Sequence, residues 1–182
     1  MELFDVIHTR QSIRKFQTRA VEDEKLQRLL EAITRAPSAG NAQAYRIFVV
    51  REPALRLTLS RGAGQQACVA DAPLVLVFCA DPSRSAALWG AKGEQFLCLQ
   101  DATVACAYAQ LAATALGLAS IWLGATLESE MIRDALGLRD GLWPIALLPV
   151  GYPAESPDRT SRRAVEDVVV EPLEEHSWQP LT

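Results

Sequence analysis

The stretch GEQFLCLQDATVACAYAQLAATALGL, Gly93–Leu118, decides what kind of molecule this chain folds into. It reads as one long helix with apolar residues on nearly every face, and such a helix needs neighbours on most of its sides. Its alanines (Ala102, Ala105, Ala109, Ala112, Ala113) let another helix approach closely, and Gly117 suits a C-cap. Upstream, APLVLVFCAD (Ala72–Asp81) is apolar on both faces, as a strand in the middle of a sheet must be. A polar stretch joins the two, with GAKG (Gly90–Gly93) read as a loop. Downstream, ASIWLGA (Ala119–Ala125) reads as a strand, ESEMIRDALGL (Glu128–Leu138) as an amphipathic helix and WPIALLPVGYP (Trp143–Pro153) as a last strand.

Further toward the N-terminus, YRIFVVR (Tyr45–Arg51) is a strand rich in branched and aromatic side chains. EPALRLTLSRGAG is a short helix closed by glycines. VEDEKLQRLLEAITRA (Val21–Ala36) places acids in its first turn and an apolar stripe of Leu26, Leu29, Leu30 and Ile33 along one face, and Pro37 stops it. ELFDVIHTR (Glu2–Arg10) is a short first helix. Helices and strands interleave without repeats or linkers, which predicts one α/β or α+β domain over residues 1–173. Residues 174–182 read as a tail, preceded by an apolar patch, VEDVVVEPL (Val165–Leu173), suited to docking on a neighbour. The order does not begin with a strand-helix unit, which argues against a doubly wound dinucleotide fold.

The 182 residues carry a net charge of -4, so any anion must be held by a local cluster of bases rather than by overall charge. With 49% hydrophobic and 22% charged residues the chain is an ordinary globular one. Cys68, Cys79, Cys98 and Cys106 form no C-x-x-C pair, and His8 and His176 are far apart, so zinc is not expected. Buried, reduced thiols are expected instead. No apolar run reaches the ~18 residues of a membrane span, and the N-terminus lacks the apolar core of a signal peptide. The expectation is a cytoplasmic protein with no membrane and no nucleic-acid partner.

The segment RQSIRKF (Arg10–Phe16) supplies such a cluster. In an extended chain every second side chain points the same way, so Arg10, Ser12 and Arg14 present two guanidinium forks and a hydroxyl to one side. That suits a phosphate or carboxylate; the alternative is a solvated helix end. No G-x-G-x-x-G, Walker, H-E-x-x-H or G-x-S-x-G motif occurs. With acid-base machinery this sparse, an enzyme of this sequence would leave the hard step to a cofactor.

The order of RQSIRKF, RAPSAGNAQAYRIFVV, the alanine-rich helix ending in ALGLASIWLGA, ALLPVGYP and SRRAVEDVV resembles the FMN-dependent nitroreductase family, from Glu2 to about Leu173. The resemblance implies an α+β fold, a mainly antiparallel sheet flanked by helices, with the long helix at a homodimer interface and FMN between the subunits. It implies that Arg10, Ser12 and Arg14 hold the FMN phosphate. Arg162 joins them from the tail, with Arg163 as the fallback if the register slips by one. Asn41 and Gln43 would meet the ribityl chain and flavin edge, on a bend shaped by Pro37 and Ser38. Leu123 and Gly124 would run under the ring through their backbone. Ala44 and Tyr45 stand where the family usually has proline and an aromatic residue.

Trp122 is read as core. Pro149 and Gly151 resemble the family's last strand, whose end abuts the cofactor, or are an ordinary strand terminus. Asp101 needs a partner or solvent, and Trp89 falls where the family covers the substrate side of the flavin. The implied activity is hydride transfer from NADH or NADPH through flavin N5 to a nitroaromatic, quinone or similar acceptor, with ping-pong kinetics and no catalytic side chain. An FMN store or sensor without turnover is the alternative, and a domain that binds no flavin is a second.

Overall fold

The computed structural model describes residues 2–124, 130–138 and 141–169; the tail expected at 174–182 lies outside them. Seven helices and four strands are found among these residues. They are α1 Leu3–Thr9, α2 Asp23–Ile33, β1 Tyr45–Val50, α3 Pro53–Gly62, α4 Ala67–Asp71, β2 Leu74–Ala80, α5 Pro82–Lys92, α6 Cys98–Ala115, β3 Ala119–Ser120, α7 Glu130–Ala135 and β4 Trp143–Gly151. The strands form one sheet in the order β1-β2-β4-β3, antiparallel throughout. Every residue of β2 is buried, as its two-faced apolar run requires.

Successive side chains of β2 alternate between two cores, as the period of a strand dictates. Leu74, Leu76 and Phe78, with Ala146, Leu148 and Val150 of β4, pack against Leu29 and Ile33 of α2 and Ala105, Ala109 and Ala113 of α6. Val75, Val77 and Cys79, with Leu147, face Leu59 of α3, Val69 of α4 and Ile132 of α7. The sheet is thus the middle layer of three.

Two sequence expectations need correction here. The polar stretch after β2 is a helix, α5: Asp81 caps it by accepting from the Arg84 N–H at 3.1 Å, and Pro82 stands in its first turn. GAKG is not a loop. Gly90, at φ 56 and ψ -144, reverses the chain in a conformation open essentially to glycine. The next turn, Gly93–Leu97, is a π-helix that leads into α6. A Cβ on Gly93 would stand 2.4 Å from the Ser85 carbonyl oxygen, so α5 and this turn form an elbow closed by a missing side chain. Among the described residues, Pro82–Ala115 has the length and composition of a membrane span, yet it is bent at Gly90 and its α6 part lies on the sheet.

The second correction concerns ASIWLGA. Its ladder to β4 covers only Ala119 and Ser120, with one further bridge from Leu123 to Leu147. Between them the chain faces Pro149, which has no N–H to donate. Beyond β3, the expected extended segment is present: Ser12 bridges Ser120 in parallel, and Phe16 bridges Pro153. The N–H groups of Ile13, Gln17 and Ala154 complete this seam at 2.9–3.1 Å. Gly151 is a buried strand residue whose added Cβ would strike Pro73 at 2.7 Å. Pro149 and Gly151 thus lie at the end of β4.

Candidate functional site

The expected site residues form two separate clusters. The first lies where α1 gives way to the extended segment. Arg10 is the C-cap of α1 and its N–H donates to the Val6 carbonyl at 2.9 Å. Its side chain lines a cavity of about 390 Å³, together with His8, Gln11, Arg159, Thr160 and Arg162. Arg162 reaches in from the far end of the chain, steadied by Nη1 donating to Thr160 Oγ1 at 2.7 Å. Arg163 turns the other way and donates to the Asp167 carbonyl. Of the two tail arginines, then, Arg162 shares a cavity with Arg10.

Arg14 does not line this cavity. Its side chain is exposed, and its backbone N–H donates to Glu155 Oε1 at 2.6 Å, as that of Lys15 does at 3.1 Å. Ser12 is half-buried in its bridge to Ser120. Arg159 is the residue the sequence reading missed: it lies in DRTSRR, and only the path of the chain distinguishes it from its neighbours. Three guanidinium groups line one cavity, in a protein of net charge -4, a donor set suited to an anion.

The second cluster is the loop from Pro37 to Ala44, which carries Asn41 and Gln43 at φ 56 and 48, beside Gly40 at φ 57. Left-handed geometry at two non-glycine residues is strained and needs external support. Asp101, 2% exposed in the first turn of α6, gives it: Oδ1 accepts from the Ala39 N–H at 2.9 Å and Oδ2 from the Ala44 N–H at 3.2 Å. Ser38 Oγ accepts from the Gln43 N–H at 2.9 Å, and Gln43 Nε2 donates to Asn41 Oδ1 at 3.1 Å. Ala42 and Ala44 seat the loop against Cys98 and Ala102 of α6. Pro37 is exposed at the bend.

Trp89, at the elbow of α5, lies against this loop: its Nε1 donates to the Ala39 carbonyl at 3.4 Å and its ring faces Gly40. Tyr45, next in sequence, stays a neutral phenol, because burial and then the charge of Asp101 push its pKa up. Leu123 exchanges hydrogen bonds with Leu147 at 3.0 and 2.9 Å on the outer edge of β4. A Cβ on Gly124 would meet the Trp122 indole nitrogen at 3.1 Å, and Trp122 packs on the core as expected. Burial raises the pKa of all four cysteines, that of Cys79 to about 12, so they are protonated thiols.

The two clusters occupy opposite corners of the sheet. Ser12 shares a row with Ser120, Val150 and Leu74, beside the β3 edge. Tyr45, which follows the loop, starts the opposite edge strand and shares a row with Ala80 and Trp143. At ~4.8 Å between strands and ~3.4 Å per residue, those corners are roughly 30 Å apart.

The description Nitroreductase family matches residues 7–152 of the chain. An NADH dehydrogenase from Thermus thermophilus is 35% identical over 187 residues, covering 88% of this chain and 91% of that protein. An FMN reductase [NAD(P)H] from Bacillus subtilis is 29% identical over 179 residues, covering 92% and 72%. Among solved structures, the hypothetical oxidoreductase YcnD from Bacillus subtilis superposes with a TM-score of 0.85 at 27% identity, over 92% of this chain and 73% of that one.

Proposed function

The chain belongs to the nitroreductase family, and from that premise we propose that it is an FMN-dependent oxidoreductase. It would take reducing equivalents from NADH or NADPH and pass them to a nitroaromatic, a quinone or a similar acceptor. Bound FMN would supply the hydride and electron chemistry at its N5. One pocket serving reductant and oxidant in turn gives ping-pong kinetics.

The observation that carries this reading is the cavity shared by Arg10, Arg159 and Arg162, drawn from opposite ends of the chain. A terminal phosphate that is mostly dianionic at neutral pH suits three guanidinium groups better than any neutral ligand does. Asn41 and Gln43 offer amides that both donate and accept, which suits the ribityl hydroxyls and the carbonyl-rich ring edge. Leu123 and Gly124 would approach the ring with backbone groups. None of these side chains has to move a proton; their task is to bind, orient and exclude water.

The same geometry supports a homodimer. Corners roughly 30 Å apart lie beyond the reach of one mononucleotide within one chain, so two chains would have to bring them together. The exposed apolar side chains of Phe4, Phe96 and Val165 provide surface for such pairing.

The purified protein tests the reading directly. A yellow protein with flavin absorption that oxidises NADH or NADPH when given menadione or nitrofurazone supports it. A yellow protein without turnover favours a flavin store, and a colourless one that ignores added FMN overturns the assignment.

A further inference from the structure

A second cavity, of about 470 Å³, lies between the Pro37–Ala44 loop and α5, lined by Asn41, Ala42, Arg46, Asp81, Arg84 and Leu88 among others. It has no part in the cofactor assignment except through Asn41. Its charged groups are arranged rather than scattered. Asp81, 6% exposed, accepts from Ser83 Oγ at 2.8 Å and from the Arg84 N–H at 3.1 Å, and faces Arg46 Nε at 3.5 Å. Burial works against its charge, but these three donors outweigh it and hold the carboxyl below its usual range. Arg84 Nε donates to the Ala42 carbonyl.

Arg84 is tethered through Nε, whereas Arg46, largely exposed, pairs loosely with Asp81 through Nε. Their terminal nitrogens have no partner among the described residues. Two guanidinium groups and one carboxylate line the groove, and only the Arg46 guanidinium pairs with Asp81, leaving a net positive groove. Fixing a long side chain costs rotamer entropy, and for Arg84 part of that cost is met before any ligand arrives.

We propose that this groove recognises an anionic group on one of the two partners that reach the flavin: a phosphoryl group of the nicotinamide coenzyme or a carboxylate of the oxidant. The inference rests on the flavin reading, since Asn41 is what joins the groove to the cofactor loop.

The test compares flavin-loaded wild type with Arg46→Gln, Arg84→Gln and the double variant at low ionic strength. Flavin content comes from the visible spectrum. KM and kcat are measured for two pairs of substrates: NADPH and NADH against uncharged 1-benzyl-1,4-dihydronicotinamide, and 4-nitrobenzoate against 4-nitrobenzyl alcohol. The expected result is unchanged flavin content and kcat, with KM for the charged member of one pair raised about 10-fold or more. The affected pair names the source of the anion. Arg46→Gln alone, at an exposed residue, should show part of the effect even if Arg84→Gln disturbs the loop. Equal changes for charged and uncharged members, or none, overturn the inference. So does loss of flavin from the variants, which would give the groove to the cofactor phosphate. A wild type without flavin or turnover would instead overturn the functional reading, and the groove inference with it.

Discussion

Ala44 stands where the family resemblance expects a proline, and the structure gives that departure a physical partner: its N–H is one of the two that Asp101 binds. A proline there would leave one carboxylate oxygen unpaired and would follow Gln43, whose φ of 48 already strains the backbone. Asp101→Asn should lower stability by about 1–3 kcal/mol in urea unfolding and weaken FMN binding in a fluorescence titration, because an amide cannot accept both bonds. Ala44→Pro should cost less in the Asp101→Asn background than in wild type, the coupling expected of groups in contact. In the first cluster, Arg162→Ala should raise the FMN dissociation constant about 10-fold or more while Arg163→Ala changes it little, since Arg163 serves the Asp167 carbonyl. Glu22 tests acid stability: the Tyr152 hydroxyl, then its own backbone N–H, and then Arg19 hold its pKa down to about 2 from 4.5. Its contribution is therefore full above pH 4.5 and is lost as pH falls toward 2, and Glu22→Gln should flatten that limb of the stability profile. Arg10 was readable as a candidate from its local pattern, but alternation did not foretell its cavity companions, which are Arg159 and Arg162 rather than Arg14. The support from Asp101 was not readable, since it joins positions 57 and 62 apart.

Elements with a strong period were legible in the sequence, namely α2, β1, β2, α6 and β4. What escaped were α4, five residues long, and α5, whose composition is mixed and which is kinked at Gly90 near its end. The D-P-S at Asp81–Ser83 was the available signal, an N-cap followed by proline in the first turn. The elbow between α5 and α6 could not be read, because neither the backbone conformation at Gly90 nor the close approach of Gly93 to the Ser85 carbonyl is marked by residue type alone. Gly93→Ala should therefore destabilise by about 1–3 kcal/mol, measured by thermal or urea unfolding, as the added methyl forces backbone apart. The same change should disturb Trp89, which rides on that elbow. The β3 strand was overestimated for a reason visible in its partner, since Pro149 interrupts the donors that a longer ladder needs.

At the scale of the whole molecule, the family resemblance carried the layer order, and the structure adds where the two clusters fall in it. Sequence order conceals that separation, because Arg10 and Asn41 both lie in the first quarter of the chain and only strand pairing sends them to opposite corners. Mixed dimers test whether the corners meet between chains. Arg10→Ala and Asn41→Ala, each impaired alone, should regain activity when co-refolded, since each hybrid then holds one site with both residues intact. Absence of any recovery in hybrids isolated by differential tags would place both corners in one subunit's site. A further consequence follows from the corner geometry. An enzyme assembled this way has no competent lone subunit, so its specific activity should fall on dilution, and the midpoint of that fall would read out the subunit association constant without any measurement of size.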